Sequence, residues 1–135
     1  MDELVKAAKS LSDPQRVRVL NLLMQRECCV CQVMEALGIS EVNASRYCHA
    51  LLDAGFLKMH KEGRWRHYRV DAASCSPTLR AMLQSVREAA KSDPVMITDV
   101  QRLVLCAPGA EHTPSEHIAH CQRWPEQQRS GRGGK

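Results

Sequence analysis

The hydrophobic period of this chain changes over one stretch only. From Leu4 to Leu52 apolar residues recur at helical spacing, from Phe56 to Val70 they alternate, and from Leu79 onward the helical period returns. A strand-like segment in an otherwise helical chain must find its partner nearby, and Glu62-Gly63 in its middle folds it back on itself as a hairpin. The expected fold is therefore mainly α with a small β-hairpin.

The punctuation sharpens this. Leu4, Ala7, Ala8 and Leu11 mark a first helix, and Ser12-Asp13-Pro14 is a cap followed by proline at the first position of a second, with Val17, Leu20, Leu23 and Met24 inward. A third helix carries Val33, Met34 and Leu37 and ends at Gly38 in "LGIS", where Ser40 caps a fourth with Ala44, Cys48, Leu51 and Leu52 inward. Helix, short glycine turn and helix form a helix-turn-helix. With the hairpin behind Gly55 it becomes a winged helix. Ser76-Pro77 opens a long helix with Leu79, Met82, Leu83, Val86, Ala89 and Ala90 as its stripe. Asp93-Pro94 starts another with Met96, Val100, Leu103 and Val104. Residues 1–92 are expected to form the winged-helix and dimerisation domain, 93–107 an additional C-terminal helix, and 108–135 a polar, flexible tail.

At 135 residues one domain is expected, and with five aromatic residues its core must be aliphatic. Two apolar stripes flanking the winged helix exceed what one small core needs, which points to a homodimer. The net charge of +4 fits a polyanionic partner without requiring one. Met1-Asp2-Glu3 is unlike a leader, and no apolar run approaches the roughly 20 residues of a membrane span, so a cytoplasmic protein with no membrane partner is expected. Seven cysteines in that setting read as thiols, metal ligands or redox sensors, not structural disulfides.

The fourth helix carries Glu41, Asn43, Ser45, Arg46 and His49 on its polar side. In a helix-turn-helix this element enters the major groove of double-stranded DNA. Asn43 suits adenine, Arg46 guanine or a phosphate, and Glu41 cytosine, although Glu41 also suits a plain helix start. The hairpin adds Lys58, His60, Lys61, Arg64, Arg66 and Arg69, a density of cations that fits phosphate contact. Such residues also serve as solvated helix faces and protected strand edges. Trp65 and Tyr68 are expected to anchor the hairpin to the core.

"ECCVCQVMEAL", from Glu27 to Leu37, places Cys28, Cys29 and Cys31 at the entry to the third helix. Unpaired N–H groups at a helix start favour thiolate, the form that binds soft ions such as trivalent arsenic or antimony, cadmium, lead and monovalent copper. On a regular helix Cys29 and Cys31 would point roughly 200° apart, so sharing an ion would require an unwound first turn. Cys28 is the first choice for a third ligand, with solvent or a small thiol next and Met34 a weak donor. The plainer reading is three buried small hydrophobes. Cys48 reads as core and Cys75 as incidental. Cys106, His112, His117, His120 and Cys121 form a loose tract that a disordered tail would also contain.

Together "SDPQRVRVLNLL", "CVCQVMEALGIS", "SRYCHALLDAGFL" and "KEGRWRHYRV" resemble the ArsR/SmtB family of bacterial metalloregulators, over about residues 1–92. Cys-Val-Cys in the third helix resembles the arsenic-responsive branch. The resemblance implies a dimeric winged-helix repressor with no tightly bound cofactor, leaving operator DNA when As(III) or Sb(III) binds its thiolates. It departs at Met34, where that branch usually has a third cysteine. Leu79–Lys91 lacks the Asp and His of the zinc branch, and the N-terminal cysteines of the cadmium branch are missing. Sensing of another soft metal or of oxidants is the alternative. A thiol enzyme is less favoured, because no phosphate-cradling loop or catalytic triad accompanies the cysteines.

Overall fold

A computed structural model describes residues 1–106. Among them lie six helices, α1 (Asp2–Ser10), α2 (Pro14–Gln25), α3 (Val30–Leu37), α4 (Glu41–Asp53), α5 (Pro77–Ala90) and α6 (Pro94–Cys106). Three strands, β1 (Cys28–Cys29), β2 (Leu57–Glu62) and β3 (Trp65–Val70), form an antiparallel sheet in the order β1-β3-β2. The expected hairpin thus gains a third, two-residue strand.

The caps work as their residue types dictate. The Asp13 carboxylate accepts from the Gln15 N–H at 2.8 Å, with Pro14 starting α2. Ser40 Oγ accepts from the Asn43 N–H at 3.1 Å and Ser76 Oγ from the Leu79 N–H at 3.3 Å. Gly38 ends α3 in the left-handed region (φ 67°), which a side chain would resist. Gly63 (φ 63°) takes the first place of the two-residue hairpin loop, between Glu62 and Trp65.

The core is mainly aliphatic, with Val19, Leu20, Leu22, Leu23, Val33, Leu51, Leu79 and Leu103 buried in one continuous cluster together with Phe56. Tyr68, expected as the anchor of the wing, is buried in the same cluster. The Arg18 guanidinium holds the buried Asp99 carboxylate through two bonds of 2.9 Å and ties α6 to α2. Leu4, expected inward on α1, is half exposed in the single chain, whereas Ala7 is fully buried. The residue 93–107 segment is helical over Pro94–Cys106, with Met96 and Leu103 buried and Val104 outward. No described helix is long and apolar enough to cross a membrane. The tail 108–135, with His112, His117, His120 and Cys121, lies outside the described residues, as does the side chain of Cys106.

Candidate metal centre and nucleic-acid interface

The entry to α3 is a strand before it is a helix. β1 pairs with β3 through Cys28↔Tyr68 and Cys29↔His67. Successive side chains of a strand take opposite faces of a sheet. Cys28 accordingly joins the main core, while Cys29 packs with Cys31 and Trp65 in a separate small cluster.

Cys29 is also the N-cap of α3, extended at φ −84° and ψ 168°. It stands where a capping box ordinarily has serine or threonine: its sulfur accepts from the Gln32 N–H, and the Gln32 side-chain oxygen accepts from the Cys29 N–H at 2.8 Å. Cys31 is the second residue of the helix. The expectation that both thiols sit on helical backbone and meet only after unwinding is therefore corrected. Because Cys29 precedes the helix, the pair is together in the folded chain, both residues 1% exposed.

Cys28 behaves differently from the expected third ligand. Burial pushes its thiol up to about 12, against the opposing pull of Arg26, so it is a protonated core group at neutral pH and not an easily ionised one. Burial raises Cys48 as well, with Cys28 beside it adding to the effect. Cys48 and Met34 lie in the main core. Cys75 is buried too, its thiol raised by desolvation and by Asp71. No disulfide joins the five cysteines with described side chains.

A second constellation lies across the sheet from Cys29. His67 is paired with Cys29 on one side and with His60 of β2 on the other, so the three residues form one row. The two imidazoles stack, with centroids 5.0 Å apart and planes 9° from parallel. Glu27 faces their Nδ1 atoms at 3.6 and 3.7 Å, and Glu62 Oε1 faces their Nε2 atoms at 3.4 and 3.7 Å. Sequence reasoning missed this group. His60 was read only as a wing cation and His67 not singled out, although their equal distance from the Gly63 turn carries the signal.

On α4, Arg46 and His49 are exposed, and Asn43 and Ser45 half-buried. On the wing Lys61, Arg64 and Arg66 are exposed. Glu41 departs from the expected groove-facing set. It is only 6% exposed, buried at the first turn of α4, where a carboxylate suits the helix start.

Residues 13–58 match the model of the family described as bacterial regulatory protein, arsR family. An uncharacterized HTH-type transcriptional regulator of Methanocaldococcus jannaschii is 34% identical over 74 residues, which cover 52% of this chain and 83% of that protein. The chain belongs to the arsR family of regulatory proteins. The arsenical resistance operon repressor of Escherichia coli is 36% identical over 67 residues, 49% of this chain and 57% of that protein. Two arsenic resistance transcriptional regulators of Pseudomonas putida are likewise spanned over only about half of their length. The homodimeric winged helix-turn-helix DNA-binding domain of a Mycobacterium bovis protein superposes with a TM-score of 0.56 at 25% identity, covering 69% of this chain and 82% of that one. This ArsR-family chain is thus a winged-helix transcriptional regulator, in a family of regulators and not of enzymes.

Proposed function

We propose that this regulator is a homodimeric repressor of double-stranded operator DNA, released when As(III) or Sb(III) is bound by the thiolates of Cys29 and Cys31. The observation that carries the reading is the placement of these thiols. They are clustered at the N-terminus of α3, the first helix of the helix-turn-helix, and one of them is its N-cap. An ion gripped by both sulfurs competes with the Gln32 N–H for the Cys29 sulfur. Losing that cap loosens the start of α3, which packs on α4. In a dimer whose two α4 helices must enter grooves about 34 Å apart, a small shift of each lowers affinity.

The third place on the ion goes to solvent or a small thiol, since Cys28 belongs to the core on the opposite face. Asn43, Ser45, Arg46 and His49 read the groove, and Lys61, Arg64 and Arg66 hold phosphates. Dimerisation through α1 and α5 covers the exposed Leu4 and Val5.

The test is a mobility shift on DNA selected by the protein from a random pool. Cys31→Ser should keep DNA affinity and lose release by arsenite, whereas Cys28→Ser should still be released. Arg46→Ala should weaken binding by roughly 1–3 kcal/mol if it contacts a base. Arsenite release that survives Cys31→Ser overturns the thiol assignment. Release by cadmium or peroxide with no response to arsenite would transfer the same thiols to the alternative sensing role.

A further inference from the structure

We propose that Glu27, His60 and His67 form a second metal site, for a borderline divalent cation of the zinc class, at the base of the wing. One donor atom from each lies within 4.8 Å of the donors of the other two. Ligands of a tetrahedral zinc bound at about 2.0–2.1 Å stand roughly 3.3 Å from one another, so donors at that limit need to close by about 1.5 Å. Glu27 and His60 have partly exposed side chains, at 37% and 41%, that can make this movement and admit the ion, while His67 is held in the sheet at 8%.

The far edge of the rings gives an independent reason. A histidine that binds metal through one nitrogen ordinarily donates its other N–H to a carboxylate or carbonyl, which fixes tautomer and ring orientation. Here Glu27 lies at the Nδ1 edge of both rings, and Glu62 Oε1 lies at the Nε2 edge of both, at 3.4 and 3.7 Å. With the cation between Glu27 and the two Nδ1 atoms, both Nε2–H groups face Glu62. The fourth corner opens to solvent.

Two nitrogens and a carboxylate select zinc-class cations over the thiophilic ions suited to Cys29 and Cys31. The site is therefore distinct in residues and in ion, and does not depend on the thiol reading. It spans the residue preceding β1 together with β2 and β3, so the cation ties the wing to the entry of α3. Its role is to set the wing's position by a second, chemically different ion.

The experiment uses the full chain, stripped of metal and kept reduced with a non-thiol reductant. Zn(II) is titrated against a chromophoric chelator. His60→Ala and Glu27→Gln should each weaken the site by at least roughly tenfold. Cys31→Ser should leave it unchanged, as should a variant with His112, His117, His120 and Cys121 replaced by alanine. Circular dichroism confirms that each variant is folded. Co(II) should give visible bands without sulfur-to-cobalt charge transfer, and Zn(II) should slow amide exchange in β2 and β3. Undiminished zinc affinity in His60→Ala, sulfur charge transfer with Co(II), or no zinc binding at all would each overturn the proposal. The last outcome would leave the cluster as a contact between imidazoles and carboxylates that holds no metal.

Discussion

Cys28 and Cys29 are neighbours in sequence and opposites in chemistry. One lies in the aliphatic core beside Cys48, its thiol pushed up to about 12 by burial. The other caps a helix, receives an amide N–H on its sulfur and packs with Cys31 under Trp65. Both are almost completely buried, so burial alone does not separate them. What separates them is the pleat of a two-residue strand. The lesson is that a thiol becomes a candidate ligand where helix-start N–H groups are aimed at it, and stays a small hydrophobe where, like Cys28, it sits in the core and only donates to a backbone carbonyl.

The comparison can be broken most forcefully in the core. Cys48→Ser places a hydroxyl in aliphatic surroundings and should destabilise the fold by roughly 1–3 kcal/mol, read from urea denaturation. A loss as small as that of an exposed substitution would mean that the core side is not as apolar as its packing implies.

Alkali probes the same side with a smaller effect. An unfolded cysteine ionises near pH 9, while folded Cys28 keeps its proton up to about 12. Above pH 9 the unfolded chain sheds the proton first. The contribution is intact below that point and is lost as pH rises toward 12. Between pH 9 and 10 the Cys28 share of the loss should be roughly 1 kcal/mol. Cys28→Ala should flatten this slope, and an unchanged slope would reject the burial of Cys28.

The smallest effect is expected on the other face. Serine is a better N-cap than cysteine and keeps the capping box with Gln32, so Cys29→Ser should alter stability by less than about 0.5 kcal/mol. A loss as large as that of Cys48→Ser would erase the distinction between the two environments.

Much of the fold was legible because its signals are local. Helix periods, the Asp13, Ser40 and Ser76 caps, Gly38 and the Gly63 turn each involve residues a few positions apart, and a chain with those signals has few alternatives. The thiol pair was legible as a pair for the same reason. For Cys28 spacing gave proximity to the pair and not direction, and the pleat of β1 turns its side chain into the main core.

What the tertiary structure decided rests on contacts between distant segments. β1 exists as a strand because β3, far along the chain, pairs with it, and that pairing sends Cys28 inward and aligns Cys29, His67 and His60 in one row. Glu41 looked polar and outward from its helix alone and is buried by the packing around it. Arg18 and Asp99 meet only when α6 docks on α2. Apart from β1, sequence determined which elements form, since short-range backbone and capping preferences select them. Which face each side chain presents, and beside what, was left to non-local pairing and packing, because only burying the whole aliphatic core fixes the register of one element against another.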